Sequence, residues 1–248
     1  MIHKNTVLLL QKYAAQYENE EFLYGDPSGF MHQVTAPKDQ ETVAFIASCL
    51  SYGSRKQFMP RIQWLMTQAG DSMHDWVLSG RYQEVLPADS DKCFYRLYTV
   101  AQMNTLMSIL QLMLDEYGSI GEFVRRHAEN AIGAIKALCL FFSSHGPCAP
   151  IPKDASSACK RLCMFIRWMV RDNSPVDLGL WTWFVDKKTL IMPLDTHVMQ
   201  QACRLGLLTS KTTSMSTAMK LTDMLRVVFP DDPLKGDFAL FGYGVNHT

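Results

Sequence analysis

Two polar residues in the second half of the chain, Lys160 and Asp195, have the types and positions that could carry out covalent chemistry. Lys160 lies in the first turn of a predicted helix, within the stretch Ser156–Arg171. The positive end of a helix dipole disfavours a cation and so favours the free amine. A free amine is the form in which lysine acts as a Schiff-base nucleophile. The alternative is that Lys160 belongs to an ordinary solvated basic face.

Asp195 follows Pro193 and precedes an apparent helix that starts at Thr196. An aspartate in this place is a natural N-cap, because its side chain can accept a hydrogen bond from N–H groups of the first turn. A carboxylate can also stabilise positive charge that develops in a transition state. For Asp195 taken alone, the structural role and the chemical role both stay open.

The elements that would position these two residues are helices. Apolar residues recur at helical spacing, whereas the β-branched residues do not alternate as they do in strands. The best extended piece is the short Thr189–Met192, and Ser156 and Ser157 are predicted N-caps of the helix that contains Lys160. The other predicted helices are Asp39–Tyr52, Lys56–Gln68, Thr99–Tyr117, Ala131–Phe142 and Ser216–Phe229. The sequence therefore predicts an all-α fold.

The composition is that of a folded, globular protein. Of its 248 residues, 48% are hydrophobic and 19% are charged, which excludes a disordered chain. The apolar run near the start, Val7–Leu10, is too short for a secretory signal, so we expect a cytoplasmic protein. Two segments rich in proline and glycine, Tyr24–Asp39 and His145–Asp154, are predicted loops. We expect one bilobed helical domain with lobes of about 1–145 and 146–248.

The cysteines do not predict a metal site. There are seven, with no C-x-x-C motif, and the one close pair is Cys159 and Cys163. Two ligands are too few for a metal ion, and scattered cysteines are typical of small buried side chains in a reducing compartment. We therefore expect neither a metal nor another cofactor.

The charges are balanced overall but uneven along the chain. The 24 Lys and Arg residues equal the 24 Asp and Glu residues, which argues against a protein that coats nucleic acid without sequence preference. Lys153 to Arg171 nevertheless holds five basic residues and one acid, Asp154. On a helix, Lys160, Arg167 and Arg171 share one face, so that these cations would line one groove.

A lysine that opens a helix, followed by an L-D-T-H-V segment at Leu194–Val198, resembles the catalytic signature of the helix-hairpin-helix–GPD superfamily of DNA glycosylases. The resemblance implies a bilobed helical fold with a pocket between the lobes. It also implies that Lys160 attacks C1′ of the damaged nucleotide and that Asp195 assists. Two features are more similar to archaeal 8-oxoguanine DNA glycosylases. Lys160 and Asp195 are 35 residues apart, and the stretch Pro150–Lys160, which has no glycine, stands in place of the usual hairpin.

The chain is also similar to a bacterial family of uncharacterised function. Its pattern reads K-R-x-x-x-F-x-R-W-M-V-R, then D-L-G-L-W, P-L-D-T-H-V and D-F-A-L-F-G-x-G. The four elements stand at Lys160–Arg171, Asp177–Trp181, Pro193–Val198 and Asp237–Gly244.

The resemblance to glycosylases implies a base-excision repair enzyme that removes an oxidised purine such as 8-oxoguanine from double-stranded DNA and cleaves the abasic site. We expect Asp177 to be structural and Asp237 to cap the last helix. The expected contacts to nucleic acid are Lys153, Arg161, Arg167, Arg171 and His197. Trp168, Trp181, Trp183 and Phe184 are candidate walls of a base pocket, although tryptophans at helical spacing usually pack in a core. The alternatives are a non-catalytic nucleic-acid-binding module on the same scaffold and an enzyme acting on a modified nucleoside or RNA.

Overall fold

Helices make up most of the structure, a computed structural model that describes residues 2–246. The sole sheet within these residues is an antiparallel hairpin of two short strands, β1 (Cys93–Tyr95) and β2 (Tyr98–Thr99). The prediction of an all-α fold is confirmed. The helices are α1 (Lys4–Tyr17), α2 (Pro37–Leu50), α3 (Arg55–Ala69), α4 (Met73–Leu78), α5 (Val100–Tyr117), α6 (Ile120–His127), α7 (Ala131–Ser144), α8 (Lys160–Val170), α9 (Thr196–Arg204), α10 (Met215–Val228) and α11 (Lys235–Asn246).

The five helices predicted from apolar spacing are confirmed as α2, α3, α5, α7 and α10, each with ends within two residues of the predicted ones. Helix α5 begins with a capping box, in which the Thr99 side chain accepts from the Gln102 N–H and the Gln102 side chain accepts from the Thr99 N–H. The extended segment Thr189–Met192 is not a strand. The Met192 N–H donates to Thr222 Oγ1 at 2.9 Å, a side chain of α10 rather than a neighbouring strand.

The chain forms two compact units. The first unit contains Met1–Tyr24, Glu129–Ile135 and Ala155–Thr248, and the second contains Gly25–Ala128 and Lys136–Asp154. This division differs from the two consecutive lobes expected from the sequence, because the N-terminal helix α1 belongs with the C-terminal part of the chain.

The core of the second unit is α2, which is buried along nearly its whole length. Two carboxylates on this helix satisfy the backbone of its neighbours. Asp39 Oδ1 accepts from the His74 N–H at 2.9 Å, in the first turn of α4. Glu41 Oε2 accepts from the Gly121 N–H at 3.0 Å, in the first turn of α6. Helix N–H groups that would otherwise be buried without acceptors are thereby satisfied.

In the first unit, α1 lies against α11 at close range. The approach requires glycine at position 242, because a Cβ there would lie 2.3 Å from Cδ2 of Tyr17. Helix α11 also packs against α9, the helix that follows Asp195.

Candidate active site

Lys160 is the first residue of α8, which confirms that it lies in the first turn of a helix. The helix starts later than predicted, and neither Ser156 nor Ser157 is its N-cap. The N-cap is Cys159, whose backbone is left-handed at φ 44° and whose side chain makes no capping hydrogen bond. A left-handed non-glycine residue carries backbone strain, and such strain is often found at functional sites. Helix α8 therefore begins without a capping side chain, and Lys160 follows its left-handed N-cap directly.

Asp195 is the N-cap of α9, as predicted. Its Oδ1 accepts from the Val198 N–H at 2.8 Å. The residues before it are buried, with Met192 at 0% and Leu194 at 1% exposure, so the extended segment is anchored in the core of the unit. This anchoring fixes the position of Asp195 even though its own side chain is one-third exposed.

The structure brings Lys160 and Asp195 into direct contact. Lys160 Nζ lies 3.2 Å from Asp195 Oδ2, with the two side chains 34% and 33% exposed. The two oxygens of Asp195 thus have separate partners, Val198 for Oδ1 and Lys160 for Oδ2. Burial acts to raise the pKa of Asp195, but the Lys160 ammonium and the Val198 N–H outweigh it and hold this pKa below its ordinary value. A carboxylate that stays ionised in this place can stabilise positive charge that develops beside it.

Arg167 and Arg171 are not available to nucleic acid, and their assignment as phosphate contacts is wrong for this structure. Arg167 is 3% exposed and Arg171 is 0% exposed. Both are held by carboxylates, in a group that we call the buried arginine–carboxylate cluster. Its members are Arg167, Arg171, Glu18, Asp177, Asp232 and Asp237.

Arg171 has three carboxylate partners. Its Nε donates to Asp232 Oδ1 at 2.9 Å, and its Nη2 donates to Asp232 Oδ2 at 2.8 Å and to Glu18 Oε1 at 2.6 Å. Its Nη1 donates to Asp177 Oδ2. Such charge-assisted and partly bidentate bonds offset the cost of removing the guanidinium from water.

Arg167 extends the cluster toward the last helix. Its Nε donates to Asp177 Oδ1 at 3.1 Å, and its Nη1 donates to Asp237 Oδ2. Asp177 is therefore structural, as expected, and its two oxygens join the two arginines. Asp237 is the third residue of α11 rather than its cap.

The comparisons with known proteins assign a family without assigning a function. Residues 26–246 match the protein family described as "Protein of unknown function (DUF2400)". The chain belongs to the DUF2400 family. No curated protein and no solved structure matches it. The DUF2400 match includes Lys160, Asp195 and both buried arginines, whereas Glu18 lies before the matched residues.

Other predicted contacts to nucleic acid lie at the surface. Lys153 is exposed and belongs to the second unit, whereas Arg161 and His197 belong to the first. Arg161 is half-buried beside Lys160 on α8, and His197 is exposed in the first turn of α9. Of the predicted contacts to nucleic acid in the first unit, Arg161 and His197 thus lie near the Lys160–Asp195 pair in sequence.

Two of the four aromatic residues assigned to a base pocket belong to the core. Trp168 is 0% exposed and Trp181 is 1% exposed, so that assignment is wrong for both. Trp183 is 72% exposed and lies edge-on to Phe184, with ring centroids 4.8 Å apart. Both line an open groove of about 470 Å³ whose other lining residues are Glu129, Val170, Asp172, Thr182, Val185, Asp186 and Lys187. A contact of these two rings with a base stays a prediction.

Residues 2–246 contain no group of three or more His, Cys, Asp or Glu side chains arranged to hold a metal ion. Six of the seven cysteines are buried or half-buried, and Cys93 is exposed. No helix among the residues described is both long and apolar enough to cross a membrane.

The carboxylates of the cluster include two, Glu18 and Asp232, that the sequence did not single out. The available signal was the pair Arg167 and Arg171, spaced by one helical turn inside a stretch that is otherwise apolar. Arginine in a buried stretch requires acidic partners. Those partners lie 61 and 153 residues away from Arg171, so the sequence alone did not identify them.

Proposed function

We propose that this protein is a DNA glycosylase with lyase activity, which removes an oxidised purine such as 8-oxoguanine from duplex DNA. The observation that carries the proposal is the contact of 3.2 Å between Lys160 Nζ and Asp195 Oδ2 at the N-termini of two helices. The pair has the residue types, the sequence context and now the proximity that a Schiff-base glycosylase requires. The resemblance to the helix-hairpin-helix–GPD superfamily supplies the substrate class.

The proposed reaction begins when the damaged nucleotide leaves the duplex stack, at a cost of a few kcal/mol that contacts in the site offset. The Lys160 ammonium gives a proton to water, and the free amine attacks C1′ of the sugar. The bond from C1′ to the base breaks, and its electron pair leaves with the base. The Asp195 side chain stabilises the positive charge that develops on the sugar. Opening of the sugar ring gives the Schiff base, from which the 3′ phosphate is eliminated.

Replacement of Asp195 by asparagine separates its chemical role from its structural one. Asparagine caps a helix about as well as aspartate, so we expect the free energy of unfolding to stay close to that of the wild type. Asparagine carries no charge, so it stabilises the positive charge on the sugar less well than aspartate does. We therefore expect base release to slow by a factor of about 10²–10⁴ in single-turnover assays on 8-oxoguanine duplexes.

Asp195→Ala is the matched control, because it also removes the bond to the Val198 N–H. It should lose about 1 kcal/mol of stability in addition to the activity. A duplex with a preformed abasic site tests the later step, which Asp195→Asn should retain because the base has already left. If Asp195→Asn releases the base at the wild-type rate, Asp195 is an N-cap and nothing more.

A specific observation favours the second candidate, an enzyme that acts on a free modified nucleoside. The burial of Arg167 and Arg171 leaves fewer cations for DNA phosphates than the sequence predicted. If DNA is the substrate, phosphate contacts from Lys153 and Arg161 should give a slope of about −2 in a plot of log K against log salt concentration. Fluorescence anisotropy with a labelled duplex measures this slope.

Lys153→Ala should make that slope less steep by about one unit, because one phosphate contact is lost. Lys92→Ala is the matched control, since Lys92 is another exposed lysine of the second unit. It should leave the slope unchanged. A slope near zero for the wild type, together with turnover of free 8-oxoguanosine, would replace DNA by the nucleoside as the substrate.

A further inference from the structure

Asp237 differs from the other carboxyl groups of the buried arginine–carboxylate cluster, because it pairs with Arg167 and also interacts electrostatically with both Lys160 and Asp195. Lys160 and Arg167 are seven residues apart and so share one face of α8, about 10 Å apart along the helix axis. Each holds a carboxylate on that face, Asp195 for Lys160 and Asp237 for Arg167. The helices that carry these carboxylates, α9 and α11, pack against each other.

The cluster has more acids than bases. Two guanidinium groups face four carboxyl groups, and the Asp177 and Arg171 side chains are fully buried. Four ionised carboxylates would leave two negative charges uncompensated in a region of low exposure, which is costly. A proton on one of the carboxyl groups relieves this cost.

The hydrogen bonds indicate which carboxyl group can hold that proton. Asp177 and Asp232 each accept from arginine N–H groups through both oxygens. Glu18 and Asp237 each accept from an arginine through one oxygen, and of these two only Asp237 pairs with Arg167, on the face of α8 that carries Lys160. The Asp237 side chain is 19% exposed, more than the other three carboxyl groups of the cluster.

The surroundings of Asp237 include groups that raise its pKa and groups that lower it. Burial raises the pKa of Asp237 above its ordinary value, and the Arg167 guanidinium opposes this effect. The carboxylates of Asp195 and Asp177 raise the same pKa, and the Lys160 ammonium lowers it. The remaining charged group on this side of α8 is Arg171, four residues after Arg167. Glu18 and Asp232 pair with Arg171. Asp237 is thus coupled electrostatically to the pair that would attack the sugar.

We propose that Asp237 is the proton donor of the Lys160–Asp195 site and protonates the purine as it leaves. This inference rests on the proposed function. As the bond from C1′ to the purine nitrogen breaks, its electron pair stays with the purine, and the O–H bond of Asp237 breaks to give an N–H or O–H bond on the base. Asp237 is left as a carboxylate, which Arg167 stabilises because its hydrogen bond to Oδ2 then joins two opposite charges. The acid on α11 and the nucleophile on α8 then act on two parts of the same nucleotide.

The test compares base release and abasic-site cleavage in single-turnover experiments across a range of pH. With a protonated Asp237 as the acid, the wild-type rate of base release falls as pH rises through the pKa of this group. Asp237→Asn should slow base release by a factor of about 10² and abolish this alkaline fall. Cleavage of a preformed abasic site should stay close to the wild-type rate, because no base leaves in that step.

Glu18→Gln is the matched control. It removes one carboxylate from the same cluster, but this carboxylate binds Arg171 rather than Arg167. It should keep base release below the pKa of Asp237 close to the wild-type rate and retain an alkaline fall, moved to lower pH because one negative charge has left the cluster. Asp237→Glu retains an acid, so its rate of base release should again fall as pH rises, at a shifted pH. This variant serves as the test if circular dichroism shows that Asp237→Asn does not fold.

Two results overturn the inference. One is base release by Asp237→Asn at the wild-type rate with the alkaline fall unchanged. The other is an equal loss of base release and abasic-site cleavage in a folded Asp237→Asn variant, which assigns Asp237 a purely structural role. Failure of the proposed function gives a different result, because wild-type protein would then neither release a base nor cleave an abasic site.

Discussion

Borohydride treatment of the wild-type protein on duplex DNA containing 8-oxoguanine is expected to give a covalent protein–DNA product, and Lys160→Gln is expected to abolish it. Borohydride reduces the Schiff base to a stable amine, and glutamine cannot form a Schiff base. Binding to the duplex should largely remain, because a single side chain has been changed. Denaturing electrophoresis of a labelled duplex measures the cross-linked fraction.

Two further variants make this result specific. Lys160→Arg keeps a cation opposite Asp195 and so preserves the ion pair, but it lacks a primary amine and should also give no product. Lys220→Gln removes an exposed lysine of α10 and should cross-link like the wild type. If pure, folded wild-type protein never cross-links to oxidised or abasic duplexes yet still binds them, the chain is the non-catalytic module on a similar scaffold.

Arg171→Met is expected to have the largest effect on stability of any single substitution considered for this protein. Methionine fills much of the same space, but it leaves Asp177, Asp232 and Glu18 without their shared cation. Removal of one partner from a buried ion pair typically costs about 3–5 kcal/mol, because a buried charge loses its compensation. Urea denaturation followed by tryptophan fluorescence measures the free energy of unfolding.

The exposed ion pair between Arg226 and Asp223 provides the control for Arg171→Met. These side chains are 41% and 68% exposed, so Arg226→Met should cost less than about 1 kcal/mol. A second substitution tests the cause of the loss. In the Arg171→Met background, Asp232→Asn removes an uncompensated charge and should recover part of the stability, whereas in the wild type it should be destabilising. Equal costs for Arg171→Met and Arg226→Met would contradict the role assigned to the cluster.

The sequence was most informative where structure depends on residues close to one another. Apolar spacing identified five helices with nearly correct ends, and the proline before Asp195 with the helix after it identified an N-cap. Lys160 and Asp195 were singled out by local context as well, and the fold brings them together. Each of these features follows from interactions within one or two helical turns.

Predictions failed where the deciding partners are distant in the chain. Arg167 and Arg171 were predicted to contact nucleic acid because they share one helix face with Lys160, yet α11, Glu18 and the loops beside them supply acids that allow burial. Trp168 and Trp181 were candidates for a pocket because indoles can stack on bases, but packing in the first unit encloses them completely. The start of α8 was misplaced because two serines had better capping chemistry than Cys159.

The contacts of Arg171 have a consequence for the order in which the protein can fold during its synthesis. Its carboxylate partners include Glu18, at the end of α1, and Asp232, just before α11, so the first unit joins segments that leave the ribosome at very different times. The second unit is complete once residue 154 has emerged, when α1 still lacks the helix against which it packs. Because compact units generally fold as wholes, we expect α1 of a nascent chain to stay unpacked until α11 has been synthesised. Until then the apolar face of α1 is exposed and can bind chaperones.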